Sequence, residues 1–329
     1  MTRSNISWLR NPDGSPGRVW NPVVGCTPAH TGCQNCYAAA LHAQRHAAYK
    51  RGAKLPVQYA DPFDQVWILP ERLQNPVQWK TPSKVFVNSM SDLFHPEVPD
   101  AFLHLVYSTM EQLAPHHTYI ILTKRAQRMK EYLRWRYGPR DDGTLRIPSR
   151  HIWHGISVSD QATAKQLIPD LVTTPSAVRL ISIEPLLSGI RLRTGIYQDP
   201  RTERFAGTTL DGIHGVFVGG ESGTNARSCD VFSVVHIVGQ CLSAKVPVYV
   251  KQLGSKPVLD YYCKDHDLRE WALDRPHIIR TPEGAEWSYR DGQPPLGCTL
   301  EISPPGHKGE DLTQWPKALR IQQFPEVRR

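Results

Sequence analysis

The chain has 329 residues, of which 40% are hydrophobic, and its 39 Lys and Arg against 31 Asp and Glu give a net charge of +8. This apolar fraction excludes an intrinsically disordered chain, and the length fits about two domains of ~150 residues, or one barrel-sized domain with an appendage. The first residues lack the apolar segment of a secretory leader, and no run approaches the ~18 apolar residues of a membrane span, so we expect a soluble, cytoplasmic protein.

Short apolar segments alternate with helix-like segments along most of the chain. The strand-like segments are apolar almost throughout, as expected for strands buried on both faces. They cover residues 19–24, 84–87, 118–122, 151–158, 178–183, 215–218 and 246–250. The helix-like segments cover residues 37–51, 99–113, 126–137, 161–172 and 231–244. This alternation predicts an α/β fold, namely a partial (β/α) barrel of six to seven parallel strands with right-handed crossovers.

Two regions interrupt the alternation and a third follows it. Residues 54–83 contain five prolines and predict an ordered insertion, while the polar, turn-rich residues 191–212 predict a surface excursion. From about residue 255 onward the periodicity fades, and prolines and glycines accumulate. We therefore predict a barrel over residues 1–254 and a small C-terminal appendage over residues 255–329 that packs on the barrel.

Polar or metal-capable residues follow every predicted strand. In parallel α/β folds, ligands bind at the carboxyl ends of the strands, where such residues share one edge of the sheet. A single polar residue at a strand end is commonly a stop signal, but seven such ends in succession favour a shared site. The residues that we single out at these ends are Cys26, Asn88, Ser91, Asp92, Lys124, Arg125, Glu184, Gly219, Gly220, Glu221 and Lys251.

Three of the seven cysteines lie between the first predicted strand and the first predicted helix, with the spacing Cys26-x6-Cys33-x2-Cys36. In a cytoplasmic protein this clustering favours metal binding or catalysis, and three thiolates on an iron–sulfur cluster would leave one iron open. The alternatives are a zinc site that includes His30, a redox-active pair at Cys33 and Cys36, and chemically inert thiols. The scattered cysteines are predicted to be core residues: Cys229, Cys241, Cys263 and Cys298.

The cysteine loop GCTPAHTGCQNCYAAA resembles the cluster loop of radical S-adenosylmethionine enzymes, especially the branch near spore photoproduct lyase. In that family, three cysteines hold a [4Fe–4S] cluster whose open iron binds S-adenosylmethionine. Reductive cleavage of this cofactor yields a radical that abstracts hydrogen from the substrate. Two departures from the family pattern are visible: three additional residues precede Cys33, and Asn35 stands where an aromatic residue is usual.

A second resemblance extends over nearly the whole chain. Several segments in matching order are similar to a phage and prophage family that is characterised by its three-cysteine motif and has no assigned reaction. These segments are WNPVVGCTPAHTGCQNCYA, VFVNSMSDLFH, LTKR, ISIEPLL, GGESG, VYVKQLG and WPKALRIQQFP. That family is distantly related to the radical S-adenosylmethionine enzymes, so the resemblance implies a [4Fe–4S] cluster and S-adenosylmethionine as cofactors.

The resemblance also implies roles for the residues at the strand ends. The metal ligands would be Cys26, Cys33 and Cys36. The cofactor-binding residues would be Asn88, Ser91, Asp92, Gly219 and Gly220, and the catalytic residues would be Glu184, Glu221 and Lys251. Residue chemistry alone leaves simpler roles open, because Ser91 or Asp92 could cap a turn and Lys251 could form an ion pair with Glu184 or Glu221.

Basic residues are concentrated between residues 124 and 150, with aromatic residues interleaved. Lysine and arginine neutralise phosphates and aromatic rings stack on bases, so this stretch predicts nucleic-acid contacts. A solvated helix face with its aromatic side chains turned into the core is the alternative. The nucleic-acid-binding candidates are Lys124, Arg125, Arg128 and Arg134.

These observations lead to one functional hypothesis and one alternative. The hypothesis is an iron–sulfur protein that modifies or repairs a nucleic acid or nucleotide by hydrogen abstraction, with a reductant as its partner. The alternative is a non-catalytic nucleic-acid-binding phage protein with a structural zinc or iron–sulfur centre.

Overall fold

A parallel sheet of seven strands organises the computed structural model, which describes residues 4–139, 148–192, 210–274, 277–287, 294–303 and 310–325. The strands lie side by side in sequence order, and every neighbouring pair is parallel. They are β1 (Arg18–Trp20), β2 (Lys84–Val87), β3 (Thr118–Thr123), β4 (Ile152–Val158), β5 (Val178–Ile183), β6 (Gly215–Gly219) and β7 (Val248–Gln252). The sheet curls into a half-barrel surrounded by helices, which confirms the predicted partial (β/α) barrel.

Of the six longer helices in the described residues, the first five lie close to their predicted positions, and the sixth lies after residue 255, where no helix was predicted. They are α1 (Tyr37–Lys50), α2 (Asp100–Ser108), α3 (Ala126–Tyr137), α4 (Gln161–Val172), α5 (Val231–Ser243) and α6 (His266–Leu273). Aspartates cap three of them: the carboxylates of Asp160, Asp230 and Asp265 accept hydrogen bonds from the first free amides of α4, α5 and α6. The predicted excursion over residues 191–212 connects β5 to β6, and its residues 193–209 lie outside the described part of the chain.

The prediction of one continuous strand over residues 19–24 is wrong. β1 ends at Trp20, and Val23–Val24 pairs instead with Trp67–Ile68 in a separate antiparallel ladder. Pro22 lies between the two segments and has no amide hydrogen to donate to a ladder. The cysteine loop therefore follows the short Val23–Val24 strand and not β1 itself.

The proline-rich residues 54–83 are ordered, as predicted. They contain a 3₁₀ turn at Val57–Tyr59, the strand Trp67–Ile68, a second 3₁₀ turn at Pro70–Gln74 and a short helix at Asn75–Gln78.

Two separate apolar clusters lie on the two faces of the sheet. Residues such as Val87 and Ile121 belong to the larger cluster between the sheet and the helices. Alternate residues such as Phe86 and Ile120 face the concave side, as the pleat of a strand requires. There they pack with Trp8, Leu9, Trp153, Val178, Leu180, Phe217 and Tyr249. Buried apolar side chains thus fill the concave side of the sheet. Polar residues lie beyond them, at the carboxyl ends of the strands.

A second, smaller sheet contains five strands among the described residues. Its order is Glu286–Trp287, His277–Arg280, Thr299–Ile302, Pro257–Asp260 and Cys229–Asp230. The strand Cys229–Asp230 directly precedes α5 and belongs to the region predicted as the barrel, residues 1–254. It nevertheless forms one edge of the sheet whose other strands belong to the predicted appendage, residues 255–329. The boundary at residue 254 stays a prediction.

The C-terminal residues return to the half-barrel and cover the free edge of β7. The Val250 amide donates to the Ile321 carbonyl oxygen at 2.9 Å, and the Gln323 amide donates to the Val248 carbonyl oxygen at 2.9 Å. Because an uncovered edge strand invites pairing with other chains, this segment protects the sheet. Among the described residues, no helix has both the length and the apolar character needed to cross a bilayer.

Candidate functional site

The cysteine loop, residues 25–36, lies over the carboxyl edge of the half-barrel. Its first residue, Gly25, has φ of +94°, and a Cβ at this position would lie 2.2 Å from the Gln65 carbonyl oxygen. Only glycine can make this turn against the proline-rich insertion. The loop ends at Cys36, the residue before α1. Its three cysteines are free thiols and partly buried.

Arg125, which follows β3, holds the first cysteine. Its guanidinium donates to Cys26 Sγ at 3.6 Å, to the Thr27 carbonyl oxygen at 2.9 Å and to Asp92 Oδ2 at 3.1 Å. Burial, followed by the charge of Asp92, raises the pKa of Cys26 to about 11, although Arg125 acts in the opposite direction. Without a bound metal, the Cys26 thiol therefore keeps its proton at neutral pH.

Asp92 connects the ends of β2 and β3. Its Oδ1 accepts from Thr123 Oγ1 at 2.6 Å and from the Phe94 amide at 3.0 Å. Its Oδ2 accepts from the Lys124 amide at 3.0 Å, in addition to Arg125. Each oxygen thus has two protein donors, and this carboxylate orients Arg125 toward the cysteine loop. The contacts favour a positioning role for Asp92 over the predicted contact with a cofactor.

His30 fixes the middle of the cysteine loop to β4. Its Nδ1 accepts a hydrogen bond from the Gly32 amide at 3.0 Å, and its Nε2 lies 3.1 Å from the Ser157 carbonyl oxygen. An amide donates and a carbonyl oxygen accepts, so the proton resides on Nε2 and both ring nitrogens are in use. Burial, and then Lys124, lowers the pKa of His30. His30 would have to release one of these hydrogen bonds to become a zinc ligand.

A carboxylate–guanidinium pair holds the end of the cysteine loop. Glu221 Oε1 accepts from Arg227 Nη2 at 2.8 Å, and Oε2 accepts from Arg227 Nε at 3.0 Å and from Asn35 Nδ2 at 3.0 Å. Arg227 in turn donates to the Thr31 carbonyl oxygen at 2.9 Å. Burial alone would raise the pKa of Glu221, but the hydrogen bonds from Arg227 and Asn35 outweigh it and leave that pKa lowered. Both carboxylate oxygens of Glu221 thus accept hydrogen bonds from groups within the protein.

Glu184 and Lys251, two predicted catalytic residues, form an ion pair. Lys251 Nζ lies 3.0 Å from Glu184 Oε1, and Ser182 Oγ donates to Glu184 Oε2 at 3.2 Å. Gly219 lies on the strand between them, and a Cβ there would come within 3.1 Å of Glu184 Oε1. A bulge in β7 between Val250 and Gln252 brings Lys251 to this position.

The remaining predicted cofactor residues divide into two groups. Ser91 Oγ donates to the Val23 carbonyl oxygen at 2.8 Å, and a Cβ on Gly220 would lie 2.4 Å from the Leu253 carbonyl oxygen, so both residues serve internal packing. Asn88, in contrast, is 2% exposed and its Oδ1 and Nδ2 have no hydrogen-bond partner among the described residues. Ser159 Oγ is buried and unpartnered in the same sense, and it lies against the cysteine loop, 2.1 Å from where a Gly32 Cβ would be.

Several of the basic residues between 124 and 150 are engaged inside the protein. Arg125 binds the cysteine loop, and Arg128 donates to Asp100 and to the carbonyl oxygens of His95 and Val98. Lys124 is half-buried and has no ion-pair partner within the described ranges, and Arg134 is exposed. For Arg125 and Arg128 these contacts favour internal roles. Residues 140–147 of the basic stretch lie outside the described residues.

The donor set of the cysteine loop fits a thiolate-ligated metal centre. Two of its sulfurs already receive N–H donors, Cys26 from Arg125 and Cys33 from the Ala29 amide at 3.4 Å, as sulfurs around iron–sulfur clusters do. Within the described part of the chain, no three His, Cys, Asp or Glu side chains are close enough to hold a metal ion in the present arrangement. The sulfurs would therefore have to move together to bind one.

Arg227 and Thr27 belong to this site, although neither was predicted from the sequence. Arg227 lies six positions after Glu221 in a turn-rich stretch, so its charge was the only available indication. Thr27 adjoins Cys26, and its Oγ1 accepts from Arg125 Nη2 at 3.2 Å and contacts His95 Nε2 at 2.8 Å. Neither contact follows from spacing, because the partners lie 98 and 68 residues away.

The fold and the site together define a class of protein: an α/β half-barrel with a three-cysteine loop fastened over the carboxyl edge of its sheet. Residues 3–281 match the model of the family described as "Protein of unknown function (DUF5131)", and the chain belongs to that family. A search of curated proteins and a search of solved structures each returned no match.

Proposed function

We propose that this protein is an iron–sulfur enzyme of the radical S-adenosylmethionine type, which modifies or repairs a nucleic acid or nucleotide. The observation that carries the proposal is the cysteine loop. Three free thiols lie on one loop at the carboxyl edge of a half-barrel, where the strands of α/β enzymes assemble their sites. Three other chain segments hold this loop, one through Arg125, one through Ser157 and Asp160, and one through Arg227.

Cys26, Cys33 and Cys36 would hold a [4Fe–4S] cluster, and three ligands would leave one iron open for S-adenosylmethionine. Such a cluster would supply one-electron reductive cleavage of S-adenosylmethionine and, through it, hydrogen abstraction from the substrate, with the electron coming from an external reductant. Metal binding requires deprotonated thiols, so Cys26 would release its proton when the cluster assembles.

The polar residues beside the loop would bind and orient the small molecules. Asn88 offers a donor and an acceptor that no described protein group uses, which suits a cofactor with polar groups on neighbouring atoms. Glu184 and Lys251 carry opposite charges at the same edge, where Gly219 leaves room for their side chains. They would recognise a zwitterionic or hydroxyl-bearing group.

The proposed substrate class depends on the basic residues. Lys124 would contact a phosphate at the carboxyl edge. Arg134 and the neighbouring Trp135, which is 66% exposed, would contact a nucleic-acid strand that runs along the outside of α3. Arginine binds phosphate and tryptophan stacks on bases, so this pair suits a single strand.

The decisive experiment is anaerobic reconstitution of the full chain with iron and sulfide, followed by metal and sulfide analysis. We expect bound iron and labile sulfide in the wild type and their loss in Cys26→Ser, Cys33→Ser and Cys36→Ser. Cys263→Ser, which removes a partly buried cysteine outside the loop, is the matched control and should keep the cluster. Incubation with dithionite and S-adenosylmethionine should then release 5′-deoxyadenosine.

Other outcomes would redirect the assignment. Zinc without labile sulfide would support a structural zinc protein, with His30 freed from Ser157 to serve as the fourth ligand. A cluster that forms but does not cleave S-adenosylmethionine would leave an iron–sulfur binding protein and overturn the enzymatic proposal.

A further inference from the structure

Arg125 and Asp92 bring opposite charges to the sulfur of Cys26. Arg125 Nη1 lies 3.6 Å from Cys26 Sγ and 3.1 Å from Asp92 Oδ2, so one guanidinium nitrogen serves both partners. The pair is largely buried, with exposed side-chain fractions of 13% for Arg125 and 8% for Asp92. Charges in such a position are weakly screened by solvent and salt.

The second nitrogen of the same guanidinium fixes its orientation. Arg125 Nη2 donates to the Thr27 carbonyl oxygen at 2.9 Å and to Thr27 Oγ1 at 3.2 Å. Asp92 is held equally firmly, by Thr123, Phe94 and the Lys124 amide. Neither side chain can turn away to a solvent-exposed partner without losing several hydrogen bonds, so both charges are held beside the start of the cysteine loop.

We infer that Arg125 and Asp92 are a buried charge pair that sets the reduction potential of the metal centre held by Cys26. This inference rests on the proposed function and goes beyond it. Arg125 is a positioning residue that donates to a ligand sulfur, and Asp92 both orients Arg125 and offsets its charge. Both were predicted to contact ligands directly, Arg125 a nucleic acid and Asp92 a cofactor, and the contacts here give them a shared task instead.

The two charges should shift the reduction potential in opposite directions. Reduction adds an electron to the cluster, so a nearby positive charge stabilises the reduced state and a nearby negative charge destabilises it. Removing the charge of Arg125 should therefore lower the midpoint potential. Removing the charge of Asp92 should raise it. If the two side chains served only to pack the loop, their substitutions would not shift the midpoint potential in opposite directions.

The test is a redox titration of the reconstituted protein, monitored by electron paramagnetic resonance. Arg125→Gln should shift the midpoint to a more negative value than wild type and Asp92→Asn to a more positive value. The double variant should return toward wild type, and Arg125→Lys, which keeps the charge, should lie closer to wild type than Arg125→Gln. Lys50→Gln is the matched control, because Lys50 ends α1, ~20 Å along the helix from Cys36.

Iron and sulfide content, measured on each variant, separates the possible failures. A wild type that holds no cluster overturns the proposed function, and this inference with it. A wild type with a cluster whose midpoint moves in the same direction in Arg125→Gln and Asp92→Asn, or in neither, overturns this inference alone. If Arg125→Gln does not retain the cluster, Asp92→Asn and Arg125→Lys decide: a midpoint above wild type in Asp92→Asn with a near-wild-type midpoint in Arg125→Lys supports the inference, and a midpoint in Asp92→Asn at or below wild type overturns it.

Discussion

Lys251 Nζ lies 3.0 Å from Glu184 Oε1, although a whole strand, β6, separates the two residues in the sheet. The contact is possible because β6 ends in Gly219 at this level and β7 is bulged beside it. The Gly-Gly-Glu sequence at residues 219–221 thus has a physical explanation within the protein. Its first glycine makes room for an ion pair, and its glutamate fastens the cysteine loop through Arg227.

Gly219→Ala should weaken the Glu184–Lys251 pair. The new Cβ would lie 3.1 Å from both Glu184 Oε1 and the Gln252 carbonyl oxygen, so the carboxylate must move. We expect the free energy of unfolding to fall by about 1–3 kcal/mol, as for other overpacked sites. Chemical denaturation measures it. Gly239→Ala is the control, since a Cβ there meets no atom within 4 Å and alanine in a helix should be neutral or stabilising. Equal effects of the two substitutions would contradict this explanation.

Glu221→Gln should loosen the cysteine loop. It removes the charge from a pair in which Glu221 is 7% exposed and Arg227 26% exposed, and we expect a loss of about 1–3 kcal/mol in unfolding free energy. Cysteine labelling of the metal-free protein should become faster than in wild type. Glu270→Gln, in the exposed pair with His266, should change stability by less than about 0.5 kcal/mol and leave labelling unchanged.

Glu221 should also make the free energy of unfolding depend on pH. Because the pKa of Glu221 is lowered in the folded protein, the unfolded state binds the proton more readily. The stabilisation from Glu221 is complete above its ordinary value of 4.5 and is lost as the pH falls through the folded pKa. The stability difference between wild type and Glu221→Gln should therefore shrink on acidification below that value. A difference that stays constant with pH would show that Glu221 contributes through shape alone.

His154 should destabilise the folded protein in acid. It is completely buried between Tyr107 and Ser176, and burial lowers its pKa to about 3, with a smaller effect from Arg179. Between about 6.5 and 3 the unfolded state carries more protons, so the free energy of unfolding falls as the pH decreases. Urea denaturation at several pH values should show a shallower decline for His154→Gln than for wild type. His236→Gln, on the exposed side of α5, should follow the wild-type curve.

Phe324 should contribute strongly to stability although it belongs to the C-terminal segment. Its ring stacks on Phe217 with centroids 5.8 Å apart, and Lys84 Nζ lies 3.3 Å from its centroid. We expect Phe324→Ala to cost about 2–3 kcal/mol in unfolding free energy. Phe232→Ala, which truncates a phenylalanine that is 47% exposed, should cost less than about 1 kcal/mol. A similar cost for both would mean that the segment is not docked in solution.

Local patterns were sufficient to predict most of the half-barrel. The run Val178–Ile183 is apolar at four of its six positions, and Ala126–Tyr137 has its apolar residues at helical spacing, so the pattern of each segment indicates its secondary structure. The failure at residues 19–24 has an equally local cause, because an apolar run conceals the missing amide of Pro22. The pairing of Val23–Val24 with Trp67–Ile68 joins segments more than forty residues apart, and nothing in either segment specifies the other.

The sequence predicted which residues gather at the candidate site but not what most of them contact there. Cys26, Glu184 and Lys251 do gather at one edge, since parallel strands deliver their carboxyl ends together. The contacts of Asp92 with Arg125, of Arg125 with Thr27 and of Glu221 with Asn35, however, are tertiary contacts across dozens of residues. A charged residue at a strand end looks the same in a sequence whether it meets a ligand or another side chain.

The distance along the chain between the cysteine loop and its fastenings has a consequence for how the protein is made. Thr31 and its donor Arg227 are 196 residues apart. At ribosomal rates of 5–20 residues per second, the cysteines wait about 10–40 s before the last fastening residue has been synthesised. The loop thus acquires its final shape only on a nearly finished half-barrel. Assembly of the proposed cluster would then be a late step in maturation, and a truncated chain would expose its thiols without the surroundings that hold them in place.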